Sequence, residues 1–118
     1  MSINRNLSIL GNIPQNSQSA SYTLASTDAG GHIYHPSTDT NPRTWTIPAN
    51  SAVAFPIGTT ITFINDTGAG LITIAITTDT LLVGGTGLTG TRTLTASGMA
   101  TIIKITSTKW IINGVGIT

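Results

Sequence analysis

The 118-residue chain contains no cysteine, so its fold relies on neither disulfide bonds nor thiolate metal ligands. It also contains no glutamate, and charged residues make up 8% of it where about 25% is usual. Five scattered Lys and Arg residues are almost balanced by four Asp, for a net charge of +1. Because phosphate binding needs clustered cations that displace counterions, we expect no nucleic-acid partner.

Long apolar stretches are missing as well. No run reaches the roughly 18 residues that a membrane-spanning helix requires. The N-terminus lacks the charged region and the apolar region of a signal peptide. We therefore expect no membrane partner, and a protein made in the cytosol.

Catalytic groups are few, since general acid–base catalysis needs paired groups in one pocket and the chain offers four isolated Asp and two His. The segment 85–90 (GTGLTG) matches the glycine pattern of dinucleotide-binding sites. No helical pattern follows it, and no acidic residue follows Asp79 to bind a ribose. The segment is therefore interpreted as a glycine-rich turn, and we expect neither an enzyme nor a cofactor.

His32 and His35 lie close to Asp28 and Asp39, and imidazole and carboxylate are ligands of transition metals. Residues three apart on a strand point to opposite faces, which denies the two histidines a common ligand position. We expect no metal site, and we expect a change of either histidine to alanine to leave the fold largely intact. The alternative is a metal shared on a symmetry axis by histidines of several subunits.

Thr, Ile, Leu and Val dominate the chain together with 13 Gly, a composition that favours strands and turns. Short β-prone runs recur about every ten residues between turn residues, which predicts an all-β fold: an antiparallel β-sandwich or jelly roll of about eight to nine short strands. Alternation predicts that Ile61 and Phe63 face the core and that Ile72, Ile74 and Ile76 share a face. The predicted strands are 21–25, 32–35, 44–47, 59–65, 71–77, 81–83, 92–94, 100–107 and 109–113.

Residues 1–19 differ from the β-sandwich domain predicted for residues 20–118, because isolated apolar residues stand among Asn, Ser and Gln. We interpret this segment as an extended N-terminal arm. Apolar side chains are a liability on a free tail, so we expect a neighbouring chain to cover them. The alternative is a frayed chain end. The candidate partner-binding residues of the arm are Ile3, Arg5, Leu7, Leu10 and Ile13.

Four segments, 28–36 (DAGGHIYHP), 45–50 (WTIPAN), 58–65 (GTTITFIN) and 110–114 (WIING), together resemble small β-domains of tailed-bacteriophage virion proteins. The resemblance covers about residues 20–118. It implies a symmetric β-sandwich or jelly roll, most often a homotrimer, exposed on a virion. Similar domains occur in head-decoration proteins and in tail-fibre or spike proteins.

Because a short arm precedes the domain in place of a long stalk, we expect a capsid decoration (cement) protein. It would bind the major capsid protein through the arm and stabilise the exterior of the head. The first alternative is a small tail-fibre or tail-tip receptor-binding protein that contacts tail proteins or host surface glycans. A bacterial carbohydrate-binding module is weaker, because Trp45 and Trp110 are assigned to the core and few aromatic residues remain.

Overall fold

A computed structural model of the protein describes residues 11–118. These residues form an all-β domain with one short 3-10 helix, Ser26–Asp28, which confirms the predicted fold class. The predicted segments 92–94 and 100–107 belong to one long strand. The strands are β1 Gln15–Ser17, β2 Tyr22–Thr23, β3 His32–His35, β4 Arg43–Ile47, β5 Thr60–Asn65, β6 Ile72–Ile76, β7 Thr80–Val83, β8 Arg92–Thr106 and β9 Lys109–Ile117.

The strands make one curled sheet in the order β1-β3-β5-β8-β6-β4-β2, and β9 pairs with both β8 and β7. Strand β8 joins two halves of this sheet. Its residues 98–103 pair with β5 in the front half, which also contains β1, β3, β9 and β7. Its residues 92–94 pair with β6 in the back half, which also contains β2 and β4.

The prediction of purely antiparallel pairing is wrong. The pairs β1–β3, β3–β5, β2–β4, β4–β6 and β7–β9 are parallel, and the antiparallel pairs are those made by β8. From β1 to β6 the chain alternates between the two halves, so each strand lies beside the strand two elements earlier and runs in the same direction. Turn residues mark where the chain reverses and do not reveal this alternation. The sandwich or jelly-roll arrangement stays a prediction.

The hydrophobic core lies between the two halves, where the ring of Trp45 on β4 meets that of Phe63 on β5 at a centroid distance of 5.9 Å. The predicted core positions Ile61 and Phe63 are fully buried. Burial of each such side chain contributes about 1.5–3 kcal/mol. The core also contains Leu24, Ile33, Trp45, Ile47, Phe55, Ile72, Ile74, Leu81, Leu94, Ala100, Ile102, Trp110 and Ile112, with Ile76 packed against it.

Strand β8 bends where it passes from the back half to the front half. Ser97 has a φ of 63°, in the left-handed region. A Cβ atom added at the following Gly98 would lie 2.7 Å from both the Leu94 Cδ1 atom and the Thr95 carbonyl oxygen. The bend therefore requires a residue without a side chain at position 98, and it lets one strand serve both halves.

The short strand β1 lies within the segment that the sequence assigned to the arm. It pairs in parallel with β3, and Asn16 Nδ2 donates a hydrogen bond to Asp28 Oδ1 at 3.0 Å. The backbone N–H of His32 donates to the Pro14 carbonyl oxygen at 2.9 Å. The described sheet thus begins at Gln15.

Candidate interaction surface

Among the predicted partner-binding residues, Ile3, Arg5, Leu7 and Leu10 lie outside the described residues. Ile13 is described, and it is 46% exposed two positions before β1. Its side chain is thus accessible beside the edge strand of the front half. The docking role of the arm stays a prediction.

The outward side of the front half, which we call the front face, is built from residues that alternate with the core positions. Residues opposite each other in register share a face of the sheet. We restrict the front face to three such rows: Ser17, Tyr34, Ile64, Met99 and Val115; Gln15, His32, Thr62, Thr101 and Asn113; Thr60, Ile103, Ile111 and Leu82. The next row on this side, Thr80, Lys109 and Thr106, lies at its margin and contains one charged residue.

None of the residues in these three rows is Asp, Glu, Lys or Arg. Met99 is 52% exposed, Ile103 39% and Val115 67%. Between the two apolar rows, the Thr62 and Thr101 hydroxyl oxygens are 2.9 Å apart and hydrogen-bonded. An uncharged surface of this kind can bury its apolar side chains against another uncharged, complementary surface.

The local sequence explains why both faces of β8 are apolar. In a sheet exposed on one side, polar residues normally alternate with apolar ones. Strand β8 carries Ile102 inward and Ile103 outward, and Met99 outward beside the buried Ala100. Consecutive apolar residues within 99–105 place apolar side chains on both faces of this strand.

Charged side chains near the front face lie at its margin. The Tyr34 hydroxyl group donates a short hydrogen bond to Asp66 Oδ2, and the Thr67 backbone N–H donates to Asp66 Oδ1 at 2.7 Å. The Tyr34 hydrogen bond, followed by that from Thr67, lowers the pKa of the Asp66 carboxyl group. The same bond raises the pKa of the Tyr34 hydroxyl group. The Asp66 carboxylate thus fixes Tyr34 between Ser17 and Ile64 in its row.

The two histidines point to opposite faces, as strand parity predicted. His35 is fully buried, whereas His32 lies on the front face with its Nε2 atom 3.1 Å from Gln15 Nε2. Within residues 11–118, no group of three His, Cys, Asp or Glu side chains is placed to hold a metal ion. A metal shared on a symmetry axis by histidines of several subunits stays the alternative to the expected absence of a metal site.

His35 belongs to a buried polar network that the sequence analysis missed. Its Nδ1 atom is 2.7 Å from Asn65 Oδ1, and its Nε2 atom is 2.7 Å from Asp39 Oδ2. Asn65 Nδ2 donates to the carbonyl oxygens of Gly70 at 2.9 Å and Leu94 at 3.0 Å, which directs Oδ1 of Asn65 toward the histidine. Both ring nitrogens of His35 thus lie within hydrogen-bond distance of a side-chain oxygen.

Asp39 extends this network to the guanidinium group of Arg43, whose Nε donates at 2.9 Å and whose terminal nitrogen donates at 3.2 Å. Hydrogen bonds from Arg43, then from His35, hold the pKa of the Asp39 carboxyl group well below its usual range. The network ties β3 to β5 and to the start of β4. The expectation that a change of His35 to alanine leaves the fold intact is contradicted by these contacts, because the change removes a partner from two buried groups.

The lowered pKa of Asp39 predicts a loss of stability in acid. A group whose pKa is depressed by folding stabilises the protein above its unfolded pKa, about 3.9 for Asp, and that stabilisation is lost as the pH falls toward the folded value. The partners facing Asp39 are Arg43, which stays charged, His35 and Asn41. Thermal unfolding should therefore occur at a clearly lower temperature at pH 3 than at pH 7.

The Asp39→Asn variant is the control for this prediction. It should be less stable than the wild type at pH 7 and should lose less of its remaining stability between pH 7 and pH 3. Folding also lowers the pKa of the Asp66 carboxyl group, so Asp66 destabilises the fold in acid as well. Some acid sensitivity should therefore remain in the variant. Equal acid sensitivity in the two proteins would contradict the assignment to Asp39.

Among residues 11–118, no helix is long and apolar enough to cross a membrane. Comparison of the chain with models of protein families, with curated proteins and with solved structures found no match.

Proposed function

We propose that this chain is a structural protein of a bacteriophage virion, a capsid decoration protein that acts as a symmetric oligomer, most simply a trimer. The observation that carries the proposal is the uncharged front face with its exposed Met99, Ile103 and Val115. A protein that stays in contact with its own copies needs a complementary surface more than it needs a pocket. The resemblance of residues 20–118 to virion domains supports the same function.

The front face is suited to contacts between identical subunits. Three copies can bring the same face together around a three-fold axis, where like charges would repel one another and uncharged rows do not. Six strands at a spacing of about 4.8 Å give a face roughly 24 Å wide.

The arm is the proposed attachment to the major capsid protein. Ordering a free segment costs about 1–2 kcal/mol per residue, so the arm gains from binding where a partner buries its apolar side chains at roughly 1.5–3 kcal/mol each. Ile13 is exposed beside β1, at the point where the arm meets the sheet. The oligomer would thus present three arms to one site on the capsid, and simultaneous binding would increase the total affinity.

The location of the protein in the virion tests the proposal. Purified particles of the phage that encodes this sequence should contain the chain, and gold-labelled antibodies against it should decorate the heads in electron micrographs. Label at the tail tip would contradict the head assignment and support the alternative of a receptor-binding protein. Absence of the chain from purified virions would overturn the proposal as a whole.

The same particles test the arm. A chain lacking residues 2–10 retains β1 and its bond to Asp28, so it should keep the oligomeric state of the full chain while losing its place on the heads. Heads that carry the shortened chain at full occupancy would contradict the docking role.

A further inference from the structure

Lys104 is a buried lysine with an unusual set of partners. Its side chain points inward from β8 and is 1% exposed. Its Nζ atom donates to Asn50 Oδ1 at 2.7 Å and to the Phe55 carbonyl oxygen at 2.9 Å. No carboxylate of residues 11–118 forms a salt bridge with it. Lysines are rarely buried without a charged partner, so this contact requires its own explanation.

Aromatic side chains and the chain after β4 enclose the amine. Nζ lies 5.7 Å from the ring centroid of Trp110, and the ring of Phe55 packs edge-on against Trp110 at 5.6 Å. The backbone N–H of Asn50 donates to Asp79 Oδ2 at 2.8 Å, which fixes the position of Asn50. The lysine amine and the Asn50 carboxamide are therefore held together at a site largely closed to water.

We propose that Lys104 and Asn50 form an intramolecular isopeptide cross-link. The Nζ atom attacks Cγ of Asn50, so the Nζ–Cγ bond forms and the Cγ–Nδ2 bond breaks. For Nζ to attack, the ammonium group must first release one proton to water. The attacking amine then gives a second proton to the departing nitrogen, which leaves as ammonia and takes up one proton from water to become ammonium. One ammonium side chain and one carboxamide thus yield one secondary amide and one ammonium ion, and the step needs no oxidant, reductant or co-reactant.

The fold holds the lysine amine and the asparagine carboxamide close together, whereas in solution these two groups rarely meet. Reacting groups held at near-attack distance reach very high effective concentrations, because the entropy of bringing them together has already been lost during folding. Nζ donates to Asn50 Oδ1 at 2.7 Å, and this oxygen is bonded to the Cγ atom that Nζ would attack. The Phe55 carbonyl oxygen also accepts from Nζ, at 2.9 Å. Asp79 acts as a positioning residue through the backbone of Asn50. Asn50 is half-buried, which leaves a path for ammonia to reach solvent.

The cross-link would join positions 54 residues apart, tying β8 to the chain that follows β4. A covalent bond across a loop of this length restricts the unfolded chain, as a disulfide does, and this chain has no cysteine to form one. The inference is independent of the virion proposal, because it rests on a single buried contact within one chain.

Intact-mass spectrometry of the purified full chain tests the proposal. The wild type should be lighter than its sequence mass by about 17 Da, the mass of one ammonia. The Lys104→Arg and Asn50→Ala variants should each show their full sequence mass. Lys109→Arg is the matched control, because it changes a partly exposed lysine at the start of β9 and should keep the deficit. A wild-type chain at its full sequence mass overturns the proposal without the need for any variant.

One competing reaction gives the same mass loss and must be separated from the cross-link. The backbone nitrogen of Ser51 can attack Cγ of Asn50 to form a cyclic succinimide, and this reaction also releases one ammonia. Protease digestion should therefore yield a branched peptide that contains both Lys104 and Asn50. A deficit that persists in Lys104→Arg, or that maps to the peptide of Asn50 alone, would contradict the cross-link.

Discussion

We expect a change of His35 to alanine to lower the free energy of unfolding by about 3 kcal/mol, because it removes a hydrogen-bond partner from two buried groups and leaves a cavity. The change removes the partner of Asn65 Oδ1 and one of the two partners of Asp39 Oδ2, which keeps its hydrogen bond from Arg43 Nε. It also opens a cavity beside the ring of Trp45, whose centroid lies 6.0 Å from that of His35. In a domain of this size, the unfolding temperature should fall by more than about 10 °C. Urea unfolding followed by tryptophan fluorescence measures the effect.

The matched control is the same change at His32. This residue lies three positions away on the same strand, but its side chain is on the front face and contacts Gln15. Its removal should change the free energy of unfolding by no more than about 0.5 kcal/mol. If the two variants unfold alike, the network around His35 does not stabilise the fold as described.

A lysine in place of Ile103 should convert the oligomer to monomers. Ile103 lies in the third row of the front face, beside Thr60 on β5 and Ile111 on β9. An ammonium group there would be buried without a partner in each subunit, and the symmetric copies would place like charges near one another. Because Ile103 faces outward, the monomer should still fold, with the circular dichroism spectrum of the wild type.

Thr44→Lys is the control, since Thr44 is exposed on the back half and belongs to none of the three rows. It should leave the oligomer intact at the same protein concentration. An Ile103→Lys variant that keeps its full oligomeric mass would show that the front face is not the subunit contact. Loss of the oligomer in both variants would point to net charge and not to a particular face.

Much of the strand pattern was available from the sequence, because side chains on a strand alternate with a period of two. The range predicted for the strand of His32 and His35 is the one observed, and alternation placed Ile61 and Phe63 correctly in the core. Turn residues bounded these runs at nearly the right positions. Local chemistry of this kind acts over a few residues and needs no knowledge of the partner strand.

Strand pairing and the buried polar groups could not be predicted in the same way. The parallel neighbours β3 and β5 are separated in the sequence by β4. The residues of one strand do not indicate in which half of the sheet the other strand lies. The partner of His35 on β5, Asn65, is 30 residues distant. A partial signal was present, since Asp39 stands four residues from both His35 and Arg43, and it had been weighed for metal binding instead of ion pairing.

The central claim is that this domain assembles through its uncharged front face. The molar mass of the wild-type chain in solution tests this claim most directly. Light scattering coupled to size-exclusion chromatography at micromolar concentration should give the mass of three chains. A single species with the mass of one chain, unchanged as the concentration rises, would contradict the account.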